Sequence, residues 1–232
     1  SYCLSFDYLD FIVFDLFILE RNPAFNYTEE QVLLAKKKFN SMSSSELSRI
    51  SNTILQGLPG SMVNPSDLTS FKKKLNYYQG KNKLDLQNNL KYFLSLIIPE
   101  AIKYNVYLGI HPDDPPIDLF NVPRIVSTLD DLQQICNFFP CEHNGITLCV
   151  GSLASNNSNN INEIVSKLSN KVNFLHLRNV TTRTRDNQNF SFRESSHLKG
   201  DIDFVSVIQK IIKQPRPIEI YFRPDHGDLL FE

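Results

Sequence analysis

From residue 105 onward, short apolar runs alternate with amphipathic ones, and this limits the folds open to the chain. The apolar runs are Val106–Ile110, Ile146–Val150, Val172–Leu177 and Ile218–Phe222. Each is short, bounded by polar or turn-forming residues, and reads as a buried strand. Helices are predicted between them, near 129–139, 160–168 and 203–213. Strand, helix, strand in repetition means right-handed βα units, and those build a parallel sheet.

Residues 1–104 read differently. Tyr8 to Leu19 is very apolar, but it carries Asp10 and Asp15 and is too short to span a bilayer. A buried helix is predicted there. Thr28 with Gln31, and Ser43 with Glu46, each fit a capping box. Helices near 28–40 and 43–56 follow, the second closed by Gly57-Leu58-Pro59-Gly60. Two more, near 66–78 and 85–104, are separated by Gly80, and Leu86, Leu90, Phe93, Leu94 and Ile97 mark the core face of the last. This part shows no ligand cluster and reads as a helical insertion or lid. Residues 1–232 are therefore expected to form a single α/β domain, with 1–104 mostly helical and 105–232 made of βα units.

Composition narrows the function. A chain of 232 residues with 41% hydrophobic and 21% charged residues can bury a sizeable core. Its net charge of −1, without a polybasic run, argues against nucleic acid and against a membrane surface as partners. Cys3, Cys136, Cys141 and Cys149 lack the close paired spacing of structural zinc sites and are too sparse for a disulfide scaffold, so a reducing, cytoplasmic setting is expected. The chain opens on Ser1 and stops at Glu232, just after a polar motif, which reads as a partial chain.

Each predicted strand ends in or near a metal-capable residue. His111 follows the first strand, held by Pro112-Asp113-Asp114-Pro115-Pro116, in which proline fixes φ and stops the strand. Cys149 lies near the end of the second, His176 near the end of the third, and Asp225 follows the fourth. In a parallel barrel these ends meet on one face, where active sites are built. Alone, Cys149 reads equally as a small buried hydrophobe, His176 as a core histidine and Asp225 as a helix cap. Together they read as one site. Two imidazoles, a thiolate and a carboxylate suit Zn²⁺, Fe²⁺, Co²⁺ or Mn²⁺ rather than calcium or magnesium. Arg178 and Arg223 can each hold a carboxylate in bidentate fashion. His226, beside Asp225, can move a proton. Glu194, His197, Lys199 and Asp201 crowd one loop, and His143 is assigned to the surface.

Several segments resemble mannonate dehydratases. They are Gly109-Ile110-His111-Pro112-Asp113-Asp114-Pro115-Pro116, Pro123-Arg124, Asn144 to Cys149, Gly151-Ser152-Leu153, Phe174 to Asn179, His197 to Asp201 and Arg223 to Gly227. The resemblance implies a (β/α)8 TIM barrel of the xylose-isomerase-like kind, here incomplete. It also implies a hydro-lyase that removes water from D-mannonate to give 2-dehydro-3-deoxy-D-gluconate in glucuronate catabolism. The cofactor it implies is Mn²⁺ or Fe²⁺, held by His111, Cys149, His176 and Asp225. His226 matches an acid/base residue, and Arg178, Asn179, His197 and Arg223 are expected to bind the sugar acid. Where the family has Cys-Thr-Gly-Ser, this chain has Cys149-Val150-Gly151-Ser152. The resemblance leaves a homo-oligomer open. The alternatives are an inactive or partner-dependent fragment and a related sugar isomerase or epimerase.

Overall fold

The computed structural model describes residues 5–22, 27–56, 68–182, 190–214 and 219–224. A short strand β1 (Ser5–Asp7) runs into helix α1 (Tyr8–Val13), whose first turn is capped by the Asp7 carboxylate. The single helix expected over 8–19 does not continue unchanged. Its second half, Phe14–Ile18, widens into a π-helix, with the Leu19 amide bonded to the Phe14 carbonyl at 2.7 Å. The reason is Asp15, which is 1% exposed. The wide turn brings its carboxylate to Arg21 Nε at 2.5 Å, Arg21 Nη2 at 3.0 Å and the Tyr27 hydroxyl at 2.5 Å. A buried charge is thereby paired and hydrogen-bonded, the condition for keeping it inside.

Helices α2 (Glu29–Ser41) and α3 (Ser44–Gln56) begin at the two capping boxes read from sequence. The Gly57–Gly60 turn lies outside the described residues. Helices α4 (Leu68–Tyr78) and α5 (Lys83–Lys103) follow, the latter opened by a further box between Asn82 and Asp85. The buried stripe of α5 runs through Gln87, Leu94, Ile98 and Ala101. Phe93, expected on that stripe, is instead exposed. Around Phe11, Phe14, Leu19, Ile50, Leu55 and Phe71 the helices form a core of their own, and Phe120 joins it from a distant loop.

The second half alternates as expected. Strand β2 (Leu108–Ile110), α6 (Leu129–Phe138), β3 (Asn144–Cys149), α7 (Val150–Ala154), α8 (Ile161–Leu168) and β4 (Val172–His176) come in turn. After β5 (Asn179–Thr182) and β6 (Ser191–Ser195) come α9 (Phe204–Ile212) and β7 (Tyr221–Arg223). Strands β2, β3, β4 and β7 pair in parallel in that order. Helix residues Leu94, Ile98, Leu132, Ile135, Ile164, Leu168, Val207 and Ile211 pack with Ile146, Leu148 and Leu175 of the sheet in one core. Among the described residues this sheet has four strands and two open edges, β2 and β7.

The region around Glu194, His197, Lys199 and Asp201 was read as one loop. It instead supplies β6, which pairs with β5 and with β1 in a small antiparallel sheet of order β1-β6-β5. Its pairing partner β1 lies far away in sequence, so no local pattern announces the sheet.

The pairing of β3 with β4 contains an irregularity. Ile146 stands opposite Val172, but Thr147 stands opposite Phe174, so Asn173 is an extra residue on β4. Its side-chain amide crosses Gly145 and donates to the Leu108 carbonyl at 2.7 Å and the Glu142 carbonyl at 3.1 Å. A Cβ at position 145 would lie 2.5 Å from that amide nitrogen, so the crossing requires glycine. Past this bulge Cys149, His176 and Arg223 stand side by side in register on β3, β4 and β7.

Candidate metal centre

His111 leaves the tip of β2 in a loop organised by Asp113 as well as by prolines. Asp113 Oδ2 accepts from the Ile125 amide at 3.0 Å, the Val126 amide at 2.7 Å and the Ser127 hydroxyl at 3.3 Å. The loop is also anchored from outside. Phe120 is buried among Phe11, Phe14 and Phe71, and Arg21 donates to its carbonyl at 3.0 Å. Neither tie was visible in the sequence, because Arg21 and Phe120 are about a hundred positions apart.

Three of the four expected ligands converge. One ligand atom from each of His111, Cys149 and His176 falls within 4.8 Å of the others. His111 Nδ1 lies 2.7 Å from the Pro112 carbonyl, which can only accept, so this nitrogen carries the proton. That leaves Nε2 with the lone pair, and Nε2 lies 3.2 Å from His176 Nδ1. A backbone acceptor behind the ring is the usual way a ligating imidazole is oriented. Nitrogens that share one ion at about 2.0–2.1 Å each also lie roughly 3.2–3.4 Å apart, so the spacing fits a metal. Cys149 is fully buried at the junction of β3 and α7, where the Ser152 hydroxyl donates to its sulfur at 3.1 Å. A soft sulfur with two imidazoles suits a transition metal. Asp225 and His226 lie outside the described residues.

The expected substrate residues separate into buried and open ones. Arg178 is 4% exposed. Its Nη1 bonds Asp114 Oδ2 at 2.5 Å and lies 3.7 Å from Glu194 Oε1, while the guanidinium sits 5.9 Å from the Phe192 ring centroid. Burial pulls its pKa down, but the hydrogen bond and charge of Asp114, with Cys149 and Glu194, raise it overall. It is thus engaged within the fold rather than open to solvent.

Asn179 is 1% exposed and bonded to backbone. Its amide donates to the His197 and Ile202 carbonyls at 2.8 and 3.0 Å, and its oxygen accepts from the Val180 and Ile202 amides at 2.9 and 3.1 Å. A Cβ at Gly200 would lie 2.1 Å from that oxygen, so the segment closes this tightly only with glycine there. His197 Nε2 lies 2.9 Å from the Pro224 carbonyl. Arg223 is exposed on β7, next to His176.

His143, assigned to the surface from sequence, is buried instead. Its Nδ1 lies 2.9 Å from the Val106 carbonyl and its ring stacks on Tyr107 at 4.6 Å between centroids. A local backbone acceptor and an aromatic face satisfy it away from water. Sequence reading left Asp114 without a role, because its partner Arg178 is 64 positions away.

The whole chain, residues 1–232, matches the profile of the D-mannonate dehydratase (UxuA) family. The chain belongs to that family. It is 37% identical over 235 residues to mannonate dehydratase 2 of Agrobacterium fabrum, covering 98% of this chain and 58% of that protein. To the mannonate dehydratase of Brucella melitensis biotype 2 it is 36% identical over 234 residues, covering 99% and 58%. The crystal structure of mannonate dehydratase from Streptococcus suis serotype 2 superposes with a TM-score of 0.60 at 35% identity, covering 73% of this chain and 47% of that one. The chain thus spans 58% of the length of these curated mannonate dehydratases. Among the described residues, no helix is long and apolar enough to cross a membrane.

Proposed function

We propose that this chain carries the metal centre of a mannonate dehydratase, which eliminates water from D-mannonate to give 2-dehydro-3-deoxy-D-gluconate in glucuronate breakdown. The observation that carries this reading is the convergence of His111, Cys149 and His176 at three successive strand ends in a member of that family. With Asp225 as fourth ligand they would hold Mn²⁺ or Fe²⁺. The parallel sheet is read as part of a (β/α)8 barrel of the xylose-isomerase-like kind, a reading supported by its sequential strand order and by the position of the ligands at the strand ends.

The reaction removes a weakly acidic proton from C2, beside the carboxylate, and expels the C3 hydroxyl. A bound divalent cation supplies Lewis acidity for the charge that develops on the substrate oxygens. Arg223 is assigned to the substrate carboxylate, which its exposure and its register with His176 support. Arg178, expected beside it from the sequence, is read here as an internal partner of Asp114, a reading its burial supports. His226 is assigned to proton transfer at the reacting carbons, worth typically about 10²–10⁴-fold. A reducing, cytoplasmic setting is read from the sparse, unpaired spacing of the cysteines in the sequence.

The test is a keto-acid assay on D-mannonate with the intact gene product loaded with Mn²⁺ or Fe²⁺, set beside isomerisation of free aldoses. Keto acid is expected from the parent, with turnover lost but metal retained in His226→Asn, and metal lost in Cys149→Ser. Aldose isomerisation without dehydration would overturn the reading, and a metal-free His226→Asn protein would contradict the division of roles.

A further inference from the structure

One side chain ties together the segments that leave all three strand ends carrying the candidate ligands. Arg178 stands two residues after His176 on the segment leaving β4. It reaches Asp114, three residues after His111, at 2.5 Å. It also lies against Gly151, two residues after Cys149. A Cβ at position 151 would meet Arg178 Nε at 2.7 Å, its carbonyl oxygen at 2.8 Å and its Cβ at 2.9 Å. Glycine at 151 is therefore what lets the guanidinium lie this close to the end of β3. Glu194 from β6 and the Phe192 ring enclose it further.

We propose that Arg178 is a positioning residue for the metal centre: by bridging to Asp114 and lying over Gly151, it fixes the spacing between the His111, Cys149 and His176 ligand atoms. This rests on reading those three residues as one metal site. Arginine suits the role because its planar fork directs several donors at fixed angles, whereas lysine offers a point charge on a flexible stem. The arginine end of the pairing is also buried, which holds its side chain against the segments it joins.

Co²⁺ binding to the intact gene product tests this without relying on turnover. The thiolate-to-cobalt charge-transfer band reports whether Cys149 is a ligand, and the titration gives the affinity. Two variants are needed. Arg178→Lys keeps the charge and loses the fork. The triple variant Asp114→Leu, Arg178→Met, Glu194→Gln removes buried Arg178 and Glu194 together with Asp114, the carboxylate that faces the arginine, so that no lone buried charge is left to unfold the protein. Both are expected to bind Co²⁺ and Mn²⁺ about 10–100-fold more weakly, the usual effect of losing a ligand-orienting partner. The triple variant should do so at a melting temperature near the parent's, which separates spacing from stability. Where Arg178→Lys does not fold, the triple variant alone decides. A triple variant with the parent's affinity and band overturns the positioning role alone. A parent without a thiolate band that Cys149→Ser abolishes overturns the metal site, and the role with it.

Discussion

Phe120 links the helical half of the chain to the loop that follows His111, and its removal should be costly in a specific way. The residue is 7% exposed, with its ring centroid 4.6 Å from that of Phe11 and 5.2 Å from that of Phe71. A phenylalanine of about 200 Å², buried at about 25 cal/mol per Å², contributes roughly 4–5 kcal/mol, within the range of about 3–5 kcal/mol for Phe→Ala in cores. Phe120→Ala should therefore lower stability by about 4 kcal/mol, or the melting temperature by roughly 8–16 °C in a chain of this size. The backbone adds a second expectation. Phe120 has φ of +56°, in the left-handed region that glycine adopts freely and alanine only at a cost. Phe120→Gly should thus be as stable as Phe120→Ala, or up to about 1 kcal/mol more stable, the reverse of the usual order. Urea unfolding followed by circular dichroism measures both variants. A loss below about 1 kcal/mol would show that the ring is not packed into the helical core, and a glycine variant clearly weaker than the alanine one would refute the backbone argument.

Other expectations follow from buried polar groups. Burial first, then Asp15, pushes the Tyr27 phenol well above its ordinary range. The folded state holds this proton more tightly than the unfolded chain does, so the contribution is intact below about pH 10 and is lost as the pH rises beyond it. Tyr27→Phe should flatten the alkaline fall in melting temperature, and an unchanged profile would remove Tyr27 from the account. Asn179→Ala should cost about 2 kcal/mol or more, because the buried Ile202 carbonyl, the part-buried His197 carbonyl and two buried amides lose their partner. Amide exchange in the His197–Ile202 segment should accelerate with it; protection at the parent's level would contradict the bonding described. Mn²⁺ at about a hundred times its Kd should stabilise the protein by roughly 2.7 kcal/mol, reversed by a chelator, whereas Cys149→Ser should show little of this gain at the same concentration.

The parts of this molecule legible in sequence were those governed by local periodicity. The alternation after residue 105 and the boxes at Thr28 and Ser43 report local backbone physics, and the structure follows them closely. His111, Cys149 and His176 were legible because parallel strands place their ends on one side, so three strand ends imply one neighbourhood. What escaped depended on distant partners. Arg178 looked like a free cation until Asp114 was seen beside it, and β5 and β6 looked like loop because their third strand is β1. His143 looked exposed because nothing local announces the Val106 carbonyl as its acceptor. The π-turn at Phe14 similarly answers to Arg21 and Tyr27, whose approach to Asp15 is set by tertiary structure.

The extra residue in β4 makes that strand two short strands in opposite phase. From the Ile146–Val172 pair to the Cys149–His176 pair, β3 takes three steps and β4 takes four. Val172 can therefore face the helices while Phe174 and His176 face the other way; a regular strand would put all three on one side. The two kinds of length change in this short segment then have unequal consequences over evolutionary time. Loss of Asn173 brings the halves into phase and leaves Cys149 beside His176, at the cost of two hydrogen bonds to backbone carbonyls. Gain of one residue between Phe174 and His176 turns the imidazole into the hydrocarbon side of the sheet. Lineages that keep the chemistry should tolerate the deletion and be purged of the insertion.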